Sequence, residues 1–111
     1  MKTSTTIDER GIALVEIHGE VDAHTSGELD KVLGDLLAQG HHRLALDFSQ
    51  VGYISSAGLR VLLRAQQKAR GLGGEVRLFG LSAFVRQVVE MAGFDRLLRL
   101  AATRQEAMAS W

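Results

Sequence analysis

Residues 44–63 read LALDFSQVGYISSAGLRVLL, and the change of residue pattern along them decides the fold. Leu44, Ala45, Leu46 and Phe48 form a short apolar run of strand length, interrupted only by Asp47. From Leu59 onward the apolar residues Leu59, Leu62, Leu63 and Ala69 return at helical spacing. Ser55 and Ser56 stand at the junction. A helix start leaves about four backbone N–H groups without intrahelical partners, and a serine oxygen can accept one of those bonds. A strand running into a capped helix is half of a βαβ unit.

Working outward, the same two periods alternate along the chain. A β-branched stretch at residues 5–8, the reversal Glu9-Arg10-Gly11 and an apolar run at 12–17 predict a β-hairpin. Thr25 or Ser26 is placed to cap a helix whose apolar face is Leu29, Val32, Leu33, Leu36 and Leu37, and Gly40 ends it. After the helix at 59–70, Gly71, Gly73 and Gly74 precede a strand at 75–79. Ser82 then caps a helix expected to turn Phe84, Val85, Val88 and Ala92 inward, and Gly93 stops it. A short strand at 97–100 and a helix at 103–109 complete the order. Strands alternating with helix-length crossovers predict an α/β fold: a four-to-five-stranded mixed, largely parallel sheet with about four helices.

Composition limits the function classes. A chain of 111 residues that is 46% hydrophobic fits a single domain over residues 1–111 with one core. It has no cysteine, which excludes disulfides and thiolate metal sites. No stretch is apolar enough to span a bilayer, and the opening Met1-Lys2-Thr3-Ser4-Thr5-Thr6 lacks the apolar centre of a secretory signal, so a cytoplasmic location is expected. Thirteen basic and thirteen acidic residues balance, leaving no overall field to draw nucleic acid or an anionic membrane. The balance is uneven along the chain: residues 1–50 carry four basic and nine acidic groups, residues 51–111 nine basic and four acidic. Neutralisation of one half by the other across the fold is the expected outcome.

Near the two serines, Gly58 is unusual, since glycine in a first helical turn costs about 1 kcal/mol against alanine. It leaves the backbone bare where a partner could approach. Asp22 suits an Asx turn or a helix-start cap, and Asp47 a strand-end acceptor. Arg60, Arg64 and Lys68 share one helix face, either solvated or meeting an acidic partner. Other chemistry is poorly supported. Gly80-Leu81-Ser82-Ala83-Phe84 lacks the second glycine of a nucleophile elbow. Gly71-Leu72-Gly73-Gly74 follows a helix instead of opening one. His41-His42 has no ligand cluster to complete a metal site. No catalytic residue, metal or cofactor is assigned.

Residues 47–63, DFSQVGYISSAGLRVLL, closely resemble the signature of the STAS domain in bacterial anti-sigma factor antagonists. Gly19-Glu20-Val21-Asp22-Ala23-His24-Thr25 is similar to that family's second hallmark, the loop entering the first helix. The resemblance implies a binding protein, not an enzyme. Its phosphorylated serine matches Ser56, the aspartate usually before it Ser55, and the second hydroxyl residue Ala57. It also implies a partner switch. The unmodified antagonist binds an anti-sigma factor that is itself a serine kinase, phosphorylation releases it, and a serine phosphatase of the metal-dependent class resets it. Asp22, His24, Thr25, Ser55, Ala57, Gly58 and Arg60 are the implied supporting or partner-binding residues. An alternative within the family is a STAS subunit of a membrane lipid or anion transport system, acting without phosphorylation.

Overall fold

The computed structural model describes residues 1–111. Its elements run β1 (Lys2–Ile7), β2 (Ala13–His18), α1 (Ser26–Ala38), β3 (Arg43–Gln50), α2 (Ser56–Gly71), β4 (Glu75–Phe79), α3 (Ala83–Met91), a 3-10 turn (Phe94–Arg96), β5 (Arg99–Ala101) and α4 (Arg104–Met108). The strands form one five-stranded sheet in sequence order, with β1 antiparallel to β2 and every other pair parallel. This is the mixed, mostly parallel α/β architecture expected. The hairpin turn follows from Asp8, whose carboxylate accepts the N–H groups of Arg10 and Ile12, both at 2.9 Å, while Gly11 takes φ +80°.

Alternation along the strands sends residues to two unequal layers. Val15, Ile17, Leu44, Leu46, Phe48, Val76 and Leu78 face the main core, closed by Leu29 and Leu33 of α1, Leu59 and Leu62 of α2, and Val85 and Val89 of α3. The opposite face offers Leu14, Ala45 and Phe79, and α4 covers them with Ala107 beside Met108 and Trp111. Arg77, only 3% exposed, points to this second layer and fastens it. One of its amino groups donates to the carbonyls of Ala107 (2.8 Å) and Ala109 (2.7 Å), its Nε donates to Glu75 (2.6 Å), and its guanidinium lies 3.9 Å from the Trp111 ring centre. The expected neutralisation between chain halves is visible in the pairs Arg64–Asp30 and Arg104–Glu16, both 3.4 Å.

Two local expectations change. In α3 the buried positions are Val85 and Val89, so Phe84 and Ala92 are turned out to solvent. The last strand begins at Arg99, not at residue 97. Gly93 at φ +78° opens the 3-10 turn, and the N–H groups of Leu97 and Leu98 are held by the Phe94 carbonyl. No helix of the structure is long and apolar enough to cross a membrane.

Candidate functional site

The two motifs meet beyond the carboxyl ends of β2 and β3, the end of a parallel sheet where loops gather. An isolated parallel bridge joins Val21 to Ile54. Val21 N–H donates to the Tyr53 carbonyl at 2.9 Å, and Ser55 N–H donates to the Val21 carbonyl at 2.8 Å. The loop before α1 and the loop before α2 are thereby one rigid ledge.

On that ledge the two serines differ. Ser55 is the N-cap of α2: its backbone is extended and its Oγ accepts the Gly58 N–H at 3.2 Å. Ser56, the first helical residue, is exposed and its hydroxyl makes no hydrogen bond within the chain. The first intrahelical bond runs from Leu59 N–H to Ser55 O, so the N–H groups of Ser56 and Ala57 precede it. Ala57 is half-buried and Arg60 exposed.

Gly58 requires a correction. It is buried, and a Cβ there would lie 2.8 Å from Val21 Cγ1, 2.9 Å from Ile54 Cγ1 and 3.1 Å from the Val21 carbonyl oxygen. The missing side chain lets the helix start sit against the bridge; it does not expose backbone to a partner. Gly58 therefore supports the ledge from within.

Asp22 organises the other loop. Its Oδ1 accepts the N–H groups of His24 (2.8 Å) and Thr25 (2.9 Å), and its own N–H donates to Thr25 Oγ1 at 2.9 Å. The Thr25 backbone N–H, then those of His24 and the Thr25 hydroxyl, hold the Asp22 carboxyl below its ordinary range. Thr25 occupies the N-cap position of α1, but its hydroxyl is turned back to donate to the Glu20 carbonyl at 2.8 Å and makes no cap bond. Asp22 thus fixes the loop where Thr25 was expected to cap. His24 is exposed, with its N–H spent on Asp22. Asp47 is a local acceptor, taking the Ser49 N–H at 2.9 Å.

Sequence reasoning missed one component. Tyr53, on the ledge, stacks on Phe84 of α3 with ring centres 6.3 Å apart and planes 21° apart, although the residues are 40% and 52% exposed. Val88 and Met91 continue from Phe84 along the same side of α3, and Met91 is 80% exposed. An apolar stripe therefore begins two residues before the capping serine. The signal available was an aromatic in a turn otherwise made of small residues.

A family model described as the STAS domain matches residues 4–107. The chain belongs to the STAS domain family. Among its relatives it is 34% identical over 101 residues to BtrV of Bordetella bronchiseptica, covering 91% of this chain and 87% of that one. It is 31% identical over 109 residues to the anti-sigma-F factor antagonist RsfB of Mycobacterium tuberculosis, covering 96% and 86%. A crystal structure from Thermotoga maritima superposes with a TM-score of 0.89 at 22% identity, covering 96% of this STAS domain and 91% of that chain, a likeness of fold. The bacterial relatives of this STAS domain include anti-sigma factor antagonists.

Proposed function

We propose that this STAS domain is an anti-sigma factor antagonist whose grip on an anti-sigma factor serine kinase is switched by phosphorylation of Ser56. The unmodified protein sequesters the kinase, the phosphorylated protein releases it, and a metal-dependent serine phosphatase restores the first state. The output is sigma-factor-dependent transcription or a related response. The observation that carries the reading is the division of labour between adjacent serines. Ser55 is committed to the cap, whereas Ser56 offers an unbonded, exposed hydroxyl at a helix start.

The chemistry of a phosphate at that position fits a switch. It adds about −1.5 to −2 charges beside free N–H groups and the positive end of the helix dipole, a favourable contact of about 0.3–1 kcal/mol, so the fold tolerates it. In a docked interface the same charge must lose water. An uncompensated buried charge costs about 3–5 kcal/mol, roughly a hundredfold or more in affinity. The fixed carboxylate of Asp22, on the loop bridged to the ledge, adds to the local negative field. The exposed Tyr53–Phe84 stack and Met91 give the partner an apolar footing next to the serine.

Incubation with the cognate kinase and ATP tests the assignment. Wild type and Ser55→Ala incorporate phosphate, and Ser56→Ala does not; label entering Ser56→Ala removes the site. Ser56→Asp binds the kinase about a hundredfold more weakly at an unchanged melting temperature, and equal affinity for both forms removes the switch.

A further inference from the structure

The outer edge of β1 is unguarded. Its six residues pair with β2 in one unbroken register from Lys2 opposite His18 to Ile7 opposite Ala13, with no bulge. Five of the six are exposed, although Val15 and Ile17 beside them are buried. The exposed residues lie on both faces: Lys2, Ser4 and Thr6 on the side of α4, Thr5 and Ile7 on the side of the other helices. Neither layer reaches over β1, and the outward N–H and C=O groups of the strand meet only solvent.

Sheet edges are ordinarily protected by proline, bulges, inward charges or extreme shortness. The opposite edge follows that rule. β5 has three residues, carries Arg99 and is flanked by α4 and the 3-10 turn. The β1 sequence Lys-Thr-Ser-Thr-Thr-Ile has none of these defences beyond a lysine at its first position. Three of its residues are threonines, which favour extended backbone.

We propose that β1 is a self-pairing edge: two copies of this chain join their β1 strands antiparallel about a two-fold axis through Ser4, merging two five-stranded sheets into one of ten strands. A two-fold normal to the sheet keeps each face on its own side. It sets Ser4 opposite Ser4 of the second copy, Thr3 opposite Thr5 and Lys2 opposite Thr6. Hydroxyl faces hydroxyl at the centre, and the two lysines lie at opposite ends of the shared ribbon. A second copy fits this edge because the strand meets itself with small hydroxyl residues at the centre and keeps its only charge, Lys2, away from the other copy's. One strand pair is smaller than a standard interface of about 1,600 Å², so association is weak. The assembly presents two copies of the Ser56 ledge, and its existence does not depend on the function proposed for that ledge.

Sedimentation velocity of the 111-residue chain from about 0.01 to 1 mM tests this, and a monomer throughout overturns it. The chain has no cysteine, so Ser4→Cys supplies a single thiol on the axis. Mild oxidation links Ser4→Cys into a covalent dimer, whereas Ile7→Cys, far from its own copy in this register, stays monomeric; equal cross-linking of both overturns it. Ser4→Lys and Ser4→Asp are each monomeric with unchanged circular dichroism, because like charges then face one another on the axis, and their equimolar mixture recovers the dimer. A dimer that survives in Ser4→Lys alone overturns the proposed pairing.

Discussion

Val21 and Gly58 occupy complementary halves of one contact: a Cβ on Gly58 would lie 2.8 Å from Val21 Cγ1. Val21 is fully buried and β-branched, and its carbonyl already holds Ser55 N–H, so neither its side chain nor its backbone is free to withdraw. The glycine is thus the means by which two separated motifs reach a common surface.

Gly58→Ala tests that contact. Overpacking costs about 1–3 kcal/mol and the helical preference of alanine returns about 1 kcal/mol, so a net loss of up to about 2 kcal/mol is expected in urea denaturation. A stabilised variant contradicts the packing.

The two serines separate by stability as well as by modification. Ser55→Ala removes the cap of α2 and lowers stability by about 1 kcal/mol. Ser56→Ala, with no bond to lose, stays within about 0.5 kcal/mol of wild type. Chemical denaturation of both variants side by side reads the difference.

The exposed stack separates binding from folding. Under the proposed function, Phe84→Ala weakens capture of the anti-sigma partner more than tenfold, as truncation of an aromatic anchor does. Isothermal titration and a thermal melt measure the two quantities, and the melt is expected to shift by only a few degrees.

Asp22 sets a pH response. Its folded pKa is depressed, first by the Thr25 backbone N–H, so the stability it contributes is present above the unfolded value of about 3.9 and is lost as pH falls through the folded value. An NMR titration is expected to place the Asp22 midpoint below about 3.9, with the Thr25 and His24 amides moving alongside. Asp22→Asn flattens that part of the profile.

Arg77→Met leaves the carbonyls of Ala107 and Ala109 unpaired and removes the nearest cation from Glu75. Arg99 and Arg70 remain within 3.6 and 3.7 Å of that carboxylate, which moderates the loss to about 2–3 kcal/mol. The C-terminal segment is expected to become the first site of limited proteolysis.

Much of the architecture was legible because period and punctuation agree. The apolar faces of α1 and α2, the terminating glycines and the short parallel strands all follow from local spacing, and the two motifs pointed to one end of the sheet. What escaped depends on contacts between distant residues. Phe84 counts toward an apolar face in sequence, yet the sheet takes Val85 and Val89 and leaves the ring to Tyr53. Gly58 looks like open backbone until Val21 fills the space beside it. Arg77 is a charge inside a short strand, and only α4 folding back gives it carbonyls to hold. Thr25 has the right residue type for a cap, but its hydroxyl oxygen is taken by the Asp22 N–H and its proton by Glu20 O.

The Val21–Ile54 bridge also orders events in time. Its two halves are separated by all of α1 and β3, so its closure is a long-range event that local helix formation cannot supply. A chain in which α2 is helical but these contacts are unmade therefore lacks the ledge. Under the proposed function, the surface is readable only once α1 and β3 have folded together with the start of α2.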